Sequence, residues 1–157
     1  MIRFLANSYG FRFEIPYTTR SPRSAEEIDR DYHFLTKEVF QDGIRNGIFS
    51  DWDFALSNYY GHVEGLLANA GEAVVNHSLA RMAVRLRAKA LNTVLVFLQP
   101  AQQDTILYRL NQRENVNIES RLLQSQEELT HAALFDHILT VEGGEDGGRQ
   151  LANLLGW

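Results

Sequence analysis

The chain has no cysteine among its 157 residues, so disulfides, zinc–thiolate centres and thiol catalysis are excluded. Long apolar runs are missing too, because the longest, residues 93–99, falls far short of the roughly 20 residues that span a bilayer. Residues 1–5 lack the apolar region of a signal peptide, and we therefore expect a cytoplasmic protein. The net charge of -5 disfavours a general surface for nucleic acids or anionic membranes.

Two further motifs are missing. The histidines show no ligand spacing such as His-Glu-x-x-His, so we expect no metal site from them. No nucleophile-elbow motif indicates a Ser-His-Asp hydrolase.

The second half of the chain alternates short apolar runs with helical patterns. The runs, rich in Val, Leu and Phe, are residues 73–76, 93–99 and 135–141. The helical patterns are residues 62–70, 78–90, 102–113, 118–134 and 147–155. This alternation predicts an α/β fold with a mostly parallel sheet and flanking helices, without fixing the strand order. The glycine-rich stretch 143–148 has the composition of a flexible turn.

The first half has a different pattern. A helix over residues 2–9 is predicted to end at Gly10, and the alternation in residues 11–15 predicts a half-buried strand. Three short strands and one helix follow, at residues 31–35, 49–54, 58–61 and 37–46. We therefore expect a single domain over residues 1–157. In it, a small mixed insertion (about 16–70) is carried by the core and lid (about 73–157).

Four polar residues of the insertion are suited to hold an anion. Arg20 and Arg23 lie three apart on a loop with Pro22, and each guanidinium offers planar, charge-assisted donors. Tyr32 and Tyr60 add neutral hydroxyl donors. Taken singly, each arginine reads more readily as a solvated loop charge and each tyrosine as a core residue.

Their joint order resembles the guanylate kinase family. The matching runs are Thr18-Thr19-Arg20-x-Pro22-Arg23, Asp31-Tyr32-x-Phe34, Phe49-x-Asp51-Trp52 and Asn58-Tyr59-Tyr60-Gly61. The resemblance implies a P-loop-kinase-like parallel sheet, and an acceptor phosphate held by Arg20, Arg23, Tyr32 and Tyr60. It also implies that Asp51 reads the guanine edge. Arg109, Arg113 and Arg121 look like the family's lid arginines, which neutralise the transferring phosphoryl group; solvated helix charges are the alternative.

Other positions depart from the family. Pro16 and His62 stand where hydroxyl residues are expected, and Asn76 and Ser78 replace two aspartates. Asn76-x-Ser78 is similar to the ribose 1,5-bisphosphate phosphokinases, so the expected ligand is GMP or ribose 1,5-bisphosphate, with Asn76 and Ser78 as further binding residues. Ser78 is also suited to cap the helix that follows it.

A phosphate loop of the form G-x-x-x-x-G-K-[ST] is missing from the 157 residues. We expect ATP and Mg²⁺ as cofactors only if an upstream segment supplies that loop. The family's first strand, in the middle of the sheet, is also expected to be missing. Either the polypeptide begins upstream of Met1, or the sheet closes around the gap, or a second chain supplies a strand. Without the loop the chain is expected to be inactive with ATP. The alternative is a non-catalytic module that binds phosphorylated protein or nucleotide.

Overall fold

The computed structural model describes residues 1–22, 30–63, 71–89, 92–100, 118–141 and 144–157. The helices are α1 (Ile2–Tyr9), α2 (Lys37–Arg45), α3 (Ala80–Lys89), α4 (Ile118–Thr130) and α5 (Gly144–Leu154), with a 3-10 turn at Ala132–Leu134. The strands are β1 (Arg12–Phe13), β2 (Tyr17–Thr18), β3 (His33–Phe34), β4 (Phe49–Ala55), β5 (Asn58–Val63), β6 (Val74–Val75), β7 (Val96–Pro100) and β8 (His137–Val141). No helix in these ranges has the length and apolarity that crossing a membrane requires.

The strands of the core form two parallel pairs. β1 pairs with β6, and β7 pairs with β8 over five residues. Both pairs pack against one apolar cluster, whose buried members Leu5 and Leu151 come from α1 and α5. Val75 of β6 and Val96 of β7 touch this cluster. The predicted α/β class with parallel strands and flanking helices is therefore confirmed.

The glycine-rich stretch 143–148 was expected to be a turn, and this was wrong for its described part, which begins α5 at Gly144. Two physical reasons explain the helix. Glu145 and Asp146 lie in its first turn, where acidic side chains favour the helix dipole. A Cβ on Gly147 would lie 2.8 Å from Met1 Cε, and one on Gly148 would lie 2.5 Å from a ring carbon of Phe4. The glycines therefore allow α1 and α5 to approach closely.

The insertion forms a separate four-stranded mixed sheet in the order β3-β2-β5-β4. Helix α2 covers one face of it with Phe40, which is fully buried and stacks on Phe49 at 4.1 Å and on Tyr59 at 5.3 Å. Thr36 caps this helix by accepting a hydrogen bond from the Val39 N–H at 3.3 Å.

The helix predicted over residues 62–70 does not begin at His62. His62 and Val63 continue β5 and pair with β4, because the long hairpin ladder extends to the end of that strand. Residues 64–70 and the predicted helix 102–113 lie outside the described residues.

Candidate functional site

The face of the four-stranded sheet opposite α2 carries most of its polar side chains. Successive side chains of a strand point to opposite faces, and residues paired across strands share a face. Tyr60 pairs with both Thr18 and Asp53, and His62 pairs with Asp51. These five residues define what we call the polar face.

Arg20, Tyr32 and Tyr60 come together at one end of the polar face. The Arg20 guanidinium carbon lies 5.4 Å from the ring centres of both Tyr32 and Phe34, within cation–π range. Tyr32 also meets Tyr60 edge-to-face at 6.1 Å. The strand beneath Arg20 is tied to β5, since the Thr18 hydroxyl donates to the Tyr59 carbonyl at 2.9 Å. Three of the four predicted phosphate-binding residues are thus brought together; Arg23 lies outside the described residues.

Asn76 and Ser78 meet the polar face through His62. The Asn76 amide nitrogen lies 3.1 Å from His62 Nδ1, and the Ser78 hydroxyl lies 3.3 Å from Nε2. His62 itself is only 2% exposed. The loop after β6 is therefore fixed to β5 by a buried, neutral hydrogen-bonded cluster, in which both ring nitrogens have a partner.

Two histidines of this region have depressed pKa values. Burial, together with the charge of His77, lowers the pKa of His62 to about 4. The pKa of His77 also falls to about 4, again because of burial, with Asp31 opposing the shift and Arg20 adding to it. His77 packs edge-to-face on Tyr32 at 4.9 Å, so it continues the wall formed by Arg20 and the tyrosines.

Asp51 is buried and forms an ion pair with α3. Arg85 Nε lies 3.0 and 3.2 Å from its two carboxylate oxygens. Arg81 Nη2 donates to the carboxylate of Asp53 at 2.9 Å. Arg81, Arg85 and Lys89 are four residues apart and so lie on one side of α3, where Lys89 donates to the Ser50 carbonyl. Helix α3 therefore lies along β4 through a row of cationic contacts.

Helix α4 is attached to the same helix. The Glu128 carboxylate accepts from the Ala80 N–H at 2.6 Å, and Arg81 Nη1 lies 2.8 Å from Glu127. The idea that Ser78 caps α3 was wrong, because the helix begins at Ala80 and the Ser78 hydroxyl is turned to His62. Of the predicted lid arginines, Arg121 lies half-buried on α4. Arg109 and Arg113 lie outside the described residues.

The described chain combines a core of parallel strand pairs and helices with a mixed four-stranded insertion that carries an arginine beside two tyrosines. The guanylate kinase family model matches residues 2–156. Among curated relatives, the guanylate kinase of Aster yellows witches'-broom phytoplasma is 33% identical over 87% of this chain and 68% of its own length. That of Neisseria meningitidis serogroup A is 34% identical over 87% of this chain and 70% of its length. The chain belongs to the guanylate kinase family.

The fold of this chain is similar to that of a solved guanylate kinase structure. A crystal structure of guanylate kinase from Anaplasma phagocytophilum superposes with a TM-score of 0.77, covering 98% of this chain and 80% of that one, at 20% sequence identity. At 20% sequence identity this similarity supports the fold alone, and it carries no information on which residues form the site.

ATP and Mg²⁺, which the guanylate kinase family uses, need a lysine beside a glycine-rich loop, and neither lysine of the described residues has that setting. The chain has two lysines, of which Lys37 is the first residue of α2 and Lys89 donates to the Ser50 carbonyl. The start of α1 packs against α5 through Met1, whose Cε lies within 2.8 Å of a Cβ built on Gly147. Among the described residues no glycine-rich loop and lysine converge as a triphosphate requires.

Sequence reasoning missed Arg81, Arg85 and Glu128. A signal existed for the arginines: charges four apart on a helix match carboxylates two apart on a strand. This spacing is informative only once the packing of α3 on β4 is known, and the local sequence does not give that packing.

Proposed function

We propose that this chain binds the phosphate of a small phosphomonoester acceptor, GMP or ribose 1,5-bisphosphate, at the Arg20 end of the polar face. The observation that carries the proposal is the position of the Arg20 guanidinium between Tyr32 and Phe34, with Tyr60 beside Tyr32. One Arg20 N–H donates to the Ser21 carbonyl at 2.8 Å, and a guanidinium carries five N–H donors in a planar fork whose geometry suits a phosphate. The tyrosine hydroxyls are neutral donors for further phosphate oxygens.

Calorimetric titration with GMP tests this proposal. Arg20→Ala should weaken binding about tenfold to a hundredfold, since a hydrogen bond to a charged group contributes roughly 1.5–3 kcal/mol. Arg45→Ala is the matched control, because Arg45 is exposed on α2, on the other side of the sheet, and pairs with Asp42. Equal affinities for the Arg20→Ala variant and the parent protein would refute the phosphate site.

The remaining parts of the site belong to the same proposal. Arg23 is its second guanidinium, Asn76 and Ser78 border the bound acceptor, and Arg109, Arg113 and Arg121 serve as charge-neutralising lid residues. Residues 16–70 are proposed as the acceptor-binding segment and residues 73–157 as core and lid of one domain. A cytoplasmic location completes the proposal.

A polypeptide of these 157 residues is proposed to bind the acceptor without turnover of ATP. Positioning accounts for about 7–11 kcal/mol of catalysis in favourable cases, and the residues present do not position a triphosphate. A coupled assay with ATP, Mg²⁺ and GMP should give no rate above background. Turnover near one per second that disappears on Arg113→Ala would contradict this.

Binding experiments with other ligands distinguish two alternatives to a GMP site. Tighter binding of ribose 1,5-bisphosphate than of GMP would favour the resemblance carried by Asn76 and Ser78. Binding of phosphorylated peptides that depends on Arg20 and Arg23, with neither small ligand bound, would indicate a non-catalytic module.

A further partner is proposed from the two separate strand pairs. Val75 of β6 and Val96 of β7 pack on the same α1–α5 cluster without pairing to each other in the described chain. A strand from a second chain, placed between β6 and β7, would join the pairs into one sheet. Sedimentation of residues 1–157 as a monomer at all concentrations would contradict a second copy as its source.

A further inference from the structure

Both carboxylates of β4 on the polar face are held by arginines of α3. Asp51 receives Arg85 Nε at both oxygens, and Asp53 receives Arg85 Nη2 at 3.3 Å and Arg81 at 2.9 Å. Arg85 Nη2 also donates to the Trp52 carbonyl at 3.0 Å. One guanidinium is thus fixed by two carboxylates and a backbone oxygen. Contacts with β4 therefore set the orientation of the Arg85 guanidinium, and no ligand is needed for it.

This pairing has a chemical consequence for purine recognition. Guanine differs from adenine by presenting two adjacent N–H donors, on N1 and the exocyclic N2, and a free carboxylate accepts both at once. Asp51, the residue suited to that role, already has both oxygens engaged and is 9% exposed. A guanine edge would have to compete for the Asp51 carboxylate with Arg85, which Asp53 and the Trp52 carbonyl hold in place beside it, and breaking a hydrogen-bonded charge pair is costly.

Arg85 remains positively charged while it is paired with Asp51 and Asp53. Burial alone lowers its pKa, but the hydrogen bond and charge of Asp51, with those of Asp53, outweigh burial, and the net shift is upward. Loss of a proton therefore does not release Asp51. The remaining neighbours of the site, His62, Asn76 and Ser78, are occupied with one another.

We propose that Arg85 is a specificity-determining residue that occupies Asp51 and so makes the acceptor site tolerant of the base. The inference rests on the proposed function, because it assumes that Arg20 holds the acceptor's phosphate. The substrate class is then a phosphomonoester recognised through its phosphate and sugar, with guanine and adenine weakly discriminated.

Titrations of the whole chain with GMP, AMP and ribose 5-phosphate test the proposal. The parent protein should bind GMP and AMP within about threefold of each other, because Asp51 is held by Arg85 and does not read the guanine N–H groups. Arg85→Met keeps the apolar stem of the side chain, removes the guanidinium and frees Asp51, and should tighten GMP binding about tenfold, with AMP and ribose 5-phosphate unchanged. Adding Asp51→Asn to that variant should remove the gain. Arg87→Met is the control on the same helix, since Arg87 pairs with Asp136.

The outcomes are distinct. An Arg85→Met variant that folds and keeps the parent's GMP-to-AMP ratio overturns the inference. Should that variant fail to fold, the parent protein still decides: a preference for GMP above tenfold that Asp51→Asn abolishes means that Asp51 is available, and the inference is wrong. If none of the three ligands binds the parent protein, the proposed function has failed instead.

Discussion

The buried His62 makes the stability of this protein sensitive to mild acid. In the folded chain its pKa is about 4, whereas an unfolded chain has the ordinary value near 6.5. At pH 5 the unfolded state therefore binds a proton that the folded state does not. The free energy of unfolding must fall as pH decreases from about 6.5 to about 4, and His62 has no such effect above pH 7.

The magnitude follows from those two values. Between pH 7 and pH 5, His62 alone should lower the free energy of unfolding by about 2 kcal/mol. His77 acts with the same sign, because its pKa is also lowered to about 4. A loss of this size is a large fraction of the 5–15 kcal/mol that holds a typical domain together. The physical cause is first the burial of His62, which disfavours a charged imidazole, and second the charge of His77.

Urea unfolding at several pH values between 7.5 and 5 measures the effect. His62→Gln should lose a clear part of the pH dependence, whatever its stability at pH 7. The double variant with His77→Gln should lose most of it. His137→Gln removes an exposed imidazole and serves as the control. A His62→Gln variant whose curve runs parallel to that of the parent protein would show that His62 is not buried and neutral as described.

Two further changes test the packing beneath the polar face. Phe40→Ala should lower the free energy of unfolding by about 3–5 kcal/mol. The control is Val39→Ala, which should lower it by under about 0.5 kcal/mol because Val39 is 52% exposed on the same helix. Equal urea midpoints for the two variants would contradict the stacked arrangement of Phe40. Gly61→Ala places a Cβ 2.7 Å from Phe40 Cζ and 2.9 Å from Phe49 Cδ1, and should cost about 1–3 kcal/mol. A thermal unfolding midpoint unchanged from that of the parent protein would refute this overpacking.

The class of the fold and part of the site could be predicted from sequence for a physical reason. Helix α1 and the short apolar strands follow from local periodicity. Arg20, Tyr32 and Tyr60 converge because Arg20 follows β2, Tyr32 precedes β3 and Tyr60 lies on β5 of one small sheet. The family resemblance supplied their order. These features depend on interactions between residues that are close in sequence or on one sheet.

The features that sequence reasoning missed depend on contacts between distant elements. Arg85 and Asp51 are 34 residues apart, and Glu128 caps a helix 48 residues before it. Residues 144–146 read as part of a turn by composition, yet they begin α5, and α1 packs directly on that helix at Gly147 and Gly148 through Met1 and Phe4. Composition describes the preference of a segment alone, and tertiary contact overrides it.

The packing of α1 against α5 also bears on the order in which the parts of this chain fold. Phe11 stacks on Trp157 at 4.7 Å and Arg149 lies 5.3 Å from the ring centre of Phe4, so the apolar cluster joins the first and last elements described. Contacts between such distant segments form late and slow folding. During synthesis, Leu5 and Phe11 lack Leu151, Ala152 and Trp157 until residues 144–157 have left the ribosome. The early half of the chain therefore emerges with apolar surface that α5 and Trp157 cover only later.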